Sequence, residues 1–162
     1  PRDLENDLDV WIIQIALAES VAARLRKHGF KCKTVEITVR DNGLYSFSRQ
    51  IHLRQPTNIT NEIVTAAFQL FKDNYKWEHP IRSLGIRASD LVLDDIPVQL
   101  DLFGNQEKKE KLEKLDRTVD EIRRRFGYFS IQRAAMYQDK VLSSLDAQKS
   151  HTVHPVGYFN GR

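Results

Sequence analysis

From Lys33 to Arg40 the chain alternates cleanly: Val35, Ile37 and Val39 share one side, and Thr34, Glu36, Thr38 and Arg40 the other. Strand side chains point to opposite faces in turn, so this is a strand with one apolar and one polar face. Asp41-Asn42-Gly43 follows at once and is a turn signal. Leu44 to Leu53 then returns as the second strand of a hairpin. Its pattern is looser: Tyr45, Phe47, Ile51 and Leu53 share a side with Arg49, while Ser46, Ser48, Gln50 and His52 take the other.

The apolar side of such a hairpin needs a cover, and the flanking sequence supplies helices. Asp3 to His28 carries Leu8, Trp11, Ile12, Ile15, Ala22 and Leu25 at three- and four-residue spacing. Acidic residues crowd its start, Arg24, Arg26 and Lys27 crowd its end, and Gly29 follows as a C-cap, all in the sense the helix dipole favours. Trp11 is read as a core residue. After Gln55-Pro56-Thr57 ends the second strand, Asn58 or Thr60 caps a helix running to about Tyr75, with Ile63, Ala66, Ala67, Leu70 and Phe71 inward. His79-Pro80 stops it. Ile81 to Ile86 is a short third strand, where Gly85 marks a bulge or a close backbone approach. The order helix, strand, strand, helix, strand predicts an α+β fold: a small antiparallel sheet with two helices on one face. The opposite sheet face is left open and polar for a ligand.

Charge follows the same division. Pro1 to Glu19 holds one basic and five acidic residues, whereas Arg24 to Arg54 holds eight basic and two acidic. A local basic patch on a chain of net charge +3 is either a solvated face or a phosphate-tracking surface. At 162 residues the chain can bury a respectable core. Its single cysteine, Cys32, excludes an internal disulfide and fits a reducing, cytoplasmic setting; no apolar run is long enough for a membrane span. The chain opens on Pro1 and not on Met, and is read as a fragment.

Beyond the third strand lies Pro97-Val98-Gln99-Leu100-Asp101-Leu102-Phe103, followed by Gly104. Leu102 and Phe103 either fold back on their own domain or anchor the loop in a partner's pocket, with Gln99 hydrogen-bonding. Glu107 to Phe126 is a densely charged helix with a narrow seam of Leu112, Leu115, Val119, Ile122 and Phe126, the pattern of a helix that docks on another or self-associates. Gly127 ends it, and Ser130 caps a second helix holding Ile131, Ala134, Ala135, Val141 and Leu142. The pair forms a helical hairpin or folds back on the sheet. Arg123-Arg124-Arg125 is accounted for by the dipole at the first helix's end. The organisation expected is a sheet domain over 1–93, a loop over 94–105, a helical segment over 106–145 and a mobile tail over 146–162. Asp94-Asp95 is read as a solvated pair. His151 and His154 have no further ligands nearby, and structural zinc wants four, so no metal site is expected.

Five segments, taken in order, resemble one family. Leu17-Ala-Glu-Ser-Val-Ala-Ala-Arg-Leu-Arg-Lys-His-Gly-Phe30 looks like the first helix of the little finger domain of Y-family translesion DNA polymerases. Lys33 to Arg40 and Phe47-Ser-Arg-Gln-Ile-His-Leu-Arg-Gln-Pro-Thr57 look like its next two strands, and Ile81-Arg-Ser-Leu-Gly-Ile-Arg87 like its last. Gln99-Leu100-Asp101-Leu102-Phe103 resembles the pentapeptide by which bacterial polymerases bind the sliding clamp. The helical segment is similar to the tail of the UmuC-like branch, more weakly. The family sheet has four strands, one of them before the first helix, so this chain begins at or just after that strand's end.

The resemblance implies a domain that lies along the DNA major groove and holds both strands mainly by phosphate. Carried over by position, the candidates are Lys33 and Thr34, then Ser46, Ser48 and Arg49, then Arg82, Ser83, Gly85 and Arg87. Ser83 departs from relatives that carry a second basic residue there. Arg49 conflicts with strict alternation and needs a twist or bulge to reach DNA. The partners implied are template–primer DNA and the clamp. The family's catalytic carboxylates and Mg²⁺ sit in a palm domain that nothing here resembles, so this chain by itself is expected to be non-catalytic, without a cofactor. An alternative is a polymerase-like accessory protein whose parent has no catalytic carboxylates. A further one is a clamp-binding or DNA-binding adaptor of unrelated fold.

Overall fold

The computed structural model describes residues 2–95 and 106–147. Gln99 to Phe103, and the tail with His151 and His154, lie outside the described residues.

Helix α1 spans Asp7–Lys27. It starts later than the periodicity predicts, because the Asn6 side chain caps it by accepting the Asp9 N–H at 3.0 Å. Asp3 to Glu5 is extended instead. Leu4 forms an isolated antiparallel bridge to Ile81, with both backbone bonds at 2.8 Å, and is itself buried. At the other end Gly29 takes the left-handed φ of 69° that lets the chain leave the helix.

Strands β1 (Phe30–Asp41), β2 (Ser46–Thr57) and β3 (Ile81–Leu93) form an antiparallel sheet in the order β2-β1-β3. The hairpin is as expected, with Arg40 opposite Ser46, although its left-handed residue is Leu44 (φ 72°) and not Gly43. All three strands outrun their sequence limits, β1 by starting at Phe30 and ending at Asp41. β2 continues through Gln55-Pro56-Thr57, and Thr57 still pairs with Cys32 past a register shift at Lys33. Pro56 is tolerated there because β2 is an edge strand. β3 continues past Ile86 to Leu93, paired all the way to Phe30, although Asp90 sits at φ 51° and breaks the apolar alternation.

Helix α2 spans Thr60–Asn74. Together α1 and α2 cover one sheet face, where Val35, Ile37 and Val39 meet Ile12, Ile63, Ala67 and Phe71, all buried. Trp11 packs at the margin of this core, edge-on to Phe68 at 5.0 Å. Neither Asn58 nor Thr60 caps α2. The cap position is Ile59, without a side-chain bond, and the Thr60 N–H is accepted at 2.7 Å by Asp116 of helix α3 (Gln106–Phe126). Asn58 turns inward instead and donates to the Phe30 carbonyl.

The expected apolar seam is not what docks α3. Leu115 is 53% and Phe126 71% exposed, Leu112, Val119 and Ile122 are half-buried, and the single buried residue of the helix is Asp116, at 5%. Charge holds the helix down. The Arg26 guanidinium reaches Asp116 at 3.1 Å, Asp120 at 2.6 Å and the Asn58 carbonyl at 2.6 Å. Glu19 of α1 accepts from Arg123 and Arg133, each at 2.9 Å, and Arg133 also reaches Asp116 at 3.4 Å.

The second helix expected after Ser130 is broken. Two 3-10 turns, Tyr128–Ser130 and Ala134–Gln138, precede a one-turn helix α4 (Lys140–Ser143). Asp139 restarts the chain as a cap, accepting the Val141 and Leu142 N–H groups. Met136 and Leu142 are buried in the same core as α1, so this stretch folds back on the sheet domain and is not a free hairpin.

Candidate nucleic-acid interface

The sheet face away from α1 and α2 is a polar grid whose rows follow from register. Partners directly opposite in an antiparallel pair project to the same face. Thr34, Glu36, Thr38 and Arg40 of β1 stand opposite His52, Gln50, Ser48 and Ser46 of β2. On the other flank the same four stand opposite Ser89, Arg87, Gly85 and Ser83 of β3. This puts Ser46, Ser48, Ser83, Gly85 and Arg87 on one surface, as carried over from sequence. Six neighbours that the resemblance of motifs did not select join them: Glu36, Thr38, Arg40, Gln50, His52 and Ser89. The alternation of β1 and β2 already placed the first five on that side. Ser89 lay beyond the predicted end of β3.

Gly85 has a steric reason. A Cβ there would stand 2.4 Å from Thr38 Oγ1, closer than real contacts allow, so the two strands approach only because the side chain is missing. Arg82 is the extra residue of a bulge. Arg40 pairs with Ser83 and Asp41 with Ile81, so the fully buried Ile81 takes the core-side place and exposed Arg82 is released from it. Lys33 falls at the register shift between Cys32 and Thr34 and is half-buried.

Two candidates are engaged elsewhere. Arg49 stands opposite Ile37, on the helix side of the sheet. Its guanidinium donates to Asn74 Oδ1 at 3.2 Å and to the Ser48 carbonyl at 2.8 Å, and lies 5.6 Å from the Phe47 ring. The conflict with alternation is real, and no bulge turns Arg49 over. Thr34 is buried; its hydroxyl donates to the Asp90 carboxylate and lies 2.9 Å from His52 Nδ1.

The electrostatics are mixed. Arg40 and Arg87 lie on the grid, with Lys33 and Arg82 at its ends; Arg40 has no ion pair among the described residues. Glu36 and Asp90 oppose them. Hydroxyls and cations with no apolar patch between them suit phosphate oxygens more than base edges. Cys32 takes no part: burial pushes its thiol up to about 11, and it donates to the Thr57 carbonyl. The pair read as solvated is split. Asp94 is held by Lys31 and Arg117, each at 2.9 Å, while Asp95 is exposed.

A family model described as the impB/mucB/samB family C-terminal domain matches residues 1–102. The chain belongs to this family, the C-terminal domain of Y-family polymerases. It is 43% identical to "DNA polymerase IV" of Acetivibrio thermocellus over 145 residues, covering 90% of this chain and 36% of that protein. It is 36% identical over 139 residues to "DNA polymerase IV 2" of Bacillus subtilis, and 32% over 134 to "DNA polymerase IV" of Pelotomaculum thermopropionicum; in each case 83% of this chain and 32% of the relative are covered. The chain therefore spans about a third of the length of these curated relatives. The family match ends at 102, inside the segment 96–105, so α3 and the turns after it lie beyond it, although the relatives' alignments cover up to 90% of the chain.

Proposed function

We propose that this chain is the DNA-gripping and clamp-tethering part of an error-prone lesion-bypass polymerase of bacterial type, acting in the cytoplasm in DNA-damage tolerance and the SOS response. The observation that carries it is the open sheet face, where hydroxyls, the half-buried Gly85 backbone and arginines share one surface on a family domain of polymerases. Serine and threonine hydroxyls and backbone N–H groups give short neutral bonds to phosphate oxygens, and Arg40, Arg82 and Arg87 supply charge. Such a surface holds duplex DNA in any sequence. Gln99, Leu100, Asp101, Leu102 and Phe103 dock on the sliding clamp. Two modest affinities on one chain raise local concentration without any new chemistry. In the whole polymerase, the metal-binding carboxylates and their Mg²⁺ belong to a palm outside this chain, and the fragment itself transfers no nucleotide.

The test is fluorescence anisotropy of a labelled DNA duplex titrated with the 162-residue chain at several salt concentrations. With about four cations on the face, one of them, Arg87, already facing Glu36, log K is expected to fall with log salt at a slope of roughly −3, equally for different sequences. Binding that is insensitive to salt, or confined to one sequence, would overturn the reading.

A further inference from the structure

Glu36 stands on the central strand in the middle of the open face, flanked by Gln50 and Arg87. Its side chain is 19% exposed. One carboxylate oxygen accepts the Ser48 hydroxyl, and the other lies 3.8 Å from Arg87 Nη1. These two donors, a hydroxyl and a guanidinium, are groups that a DNA phosphate arriving on this face would take. We propose that Glu36 limits the affinity of the grip by competing with phosphate for Arg87 and Ser48. The inference rests on the reading of this face as the DNA-binding surface and goes beyond it.

A phosphate must displace an anion already in place, and the displaced carboxylate stays beneath it as a fixed like charge. Each placement on DNA therefore exchanges one ionic partner for another, and fewer counterions are released than the number of arginines implies. The consequence is a domain that holds duplex firmly enough to stay near it and loosely enough to step along it. The folded state loses little if Glu36 is neutralised, because Arg87 is 73% exposed and a surface pair of this kind contributes little to stability.

The test is Glu36→Gln, which keeps the shape and an acceptor oxygen for Ser48, read by duplex anisotropy over a salt series. Affinity is expected to rise about fivefold at low salt, and the slope of log K against log salt to steepen by up to about 0.9, one further phosphate neutralised. In an Arg87→Ala background the gain should fall to less than half; an equal gain in both backgrounds overturns competition for Arg87. A thermal midpoint close to wild type shows that the variant folds. Arg87→Ala weakening DNA binding while Glu36→Gln leaves it unchanged overturns the role of Glu36 alone. Arg40→Ala and Arg87→Ala both leaving binding unchanged overturns the sheet-face reading beneath it.

Discussion

Replacing Asp116 by alanine tests whether charge, and not an apolar seam, fixes α3 to the body. The carboxylate is 5% exposed and has three partners: the Thr60 N–H at 2.7 Å, Arg26 at 3.1 Å and Arg133 at 3.4 Å. Losing a helix cap costs about 1 kcal/mol. Breaking a buried ion pair by removing one partner costs about 3–5 kcal/mol. Arg26 keeps Asp120 and the Asn58 carbonyl, so the lower end applies. The sum is about 4 kcal/mol, or a fall in Tm of roughly 10 °C for a domain of this size. The assay is urea unfolding followed by circular dichroism, beside Leu115→Ala. Leu115 belongs to the seam read from sequence but is 53% exposed, so its truncation should stay within about 0.5 kcal/mol. An Asp116→Ala loss no larger than that of Leu115→Ala would refute the reasoning.

Other expectations can be checked in parallel. Gly85→Ala should destabilise by about 1–3 kcal/mol, because its Cβ meets Thr38 Oγ1 at 2.4 Å; adding Thr38→Ala should restore part of the loss in the same unfolding assay. Burial works against ionisation of Asp94, but Lys31 and Arg117 outweigh it and hold its carboxyl below the usual range. Asp7 is held low by hydrogen bonds from Lys72 and Trp77. For groups depressed in the folded state, the stability is present above the unfolded value near 3.9 and is lost as pH falls below it through the folded one. Tm should thus drop on acidification below about pH 4, and less steeply in Asp94→Asn. Cys32, buried and with its thiol pushed up to about 11, should react with a thiol reagent only at the rate of unfolding. Calorimetry against a bacterial sliding clamp should give a Kd on the order of micromolar. Leu102→Ala/Phe103→Ala should abolish that binding while circular dichroism stays unchanged; a double variant that binds as well as wild type would refute the tether.

Much of the fold was legible because the sheet domain obeys local rules. Val35, Ile37 and Val39 alternate, Ile63 to Phe71 repeats at helical spacing, and both patterns end in burial under one sheet face. What was missed depends on partners far along the chain. No local signal says that Asp116, 56 residues on, caps α2, or that Arg26 and Glu19 of α1 pair with α3 and the turn after it. Periodicity selected Leu115 and Phe126 because it weighs apolarity and spacing, whereas the docking surface of α1 is charged there. For the interface, alternation alone placed Thr38, Arg40, Gln50 and His52 on the open face and flagged Arg49 as misfit. The bulge that frees Arg82 and the extension of β3 to Ser89 arise from pairing with β1, which a single strand's sequence does not encode.

The most direct measurement is a nuclear magnetic resonance titration of the labelled chain with a short DNA duplex, read as amide shift changes. The expected result is a contiguous set on the open sheet face, including Thr38, Ser48, Gly85 and Arg87, that fades as salt is raised. Changes confined to α1, α2 or the Arg123-Arg124-Arg125 end of α3, with the sheet amides unmoved, would contradict the assignment of this face to DNA.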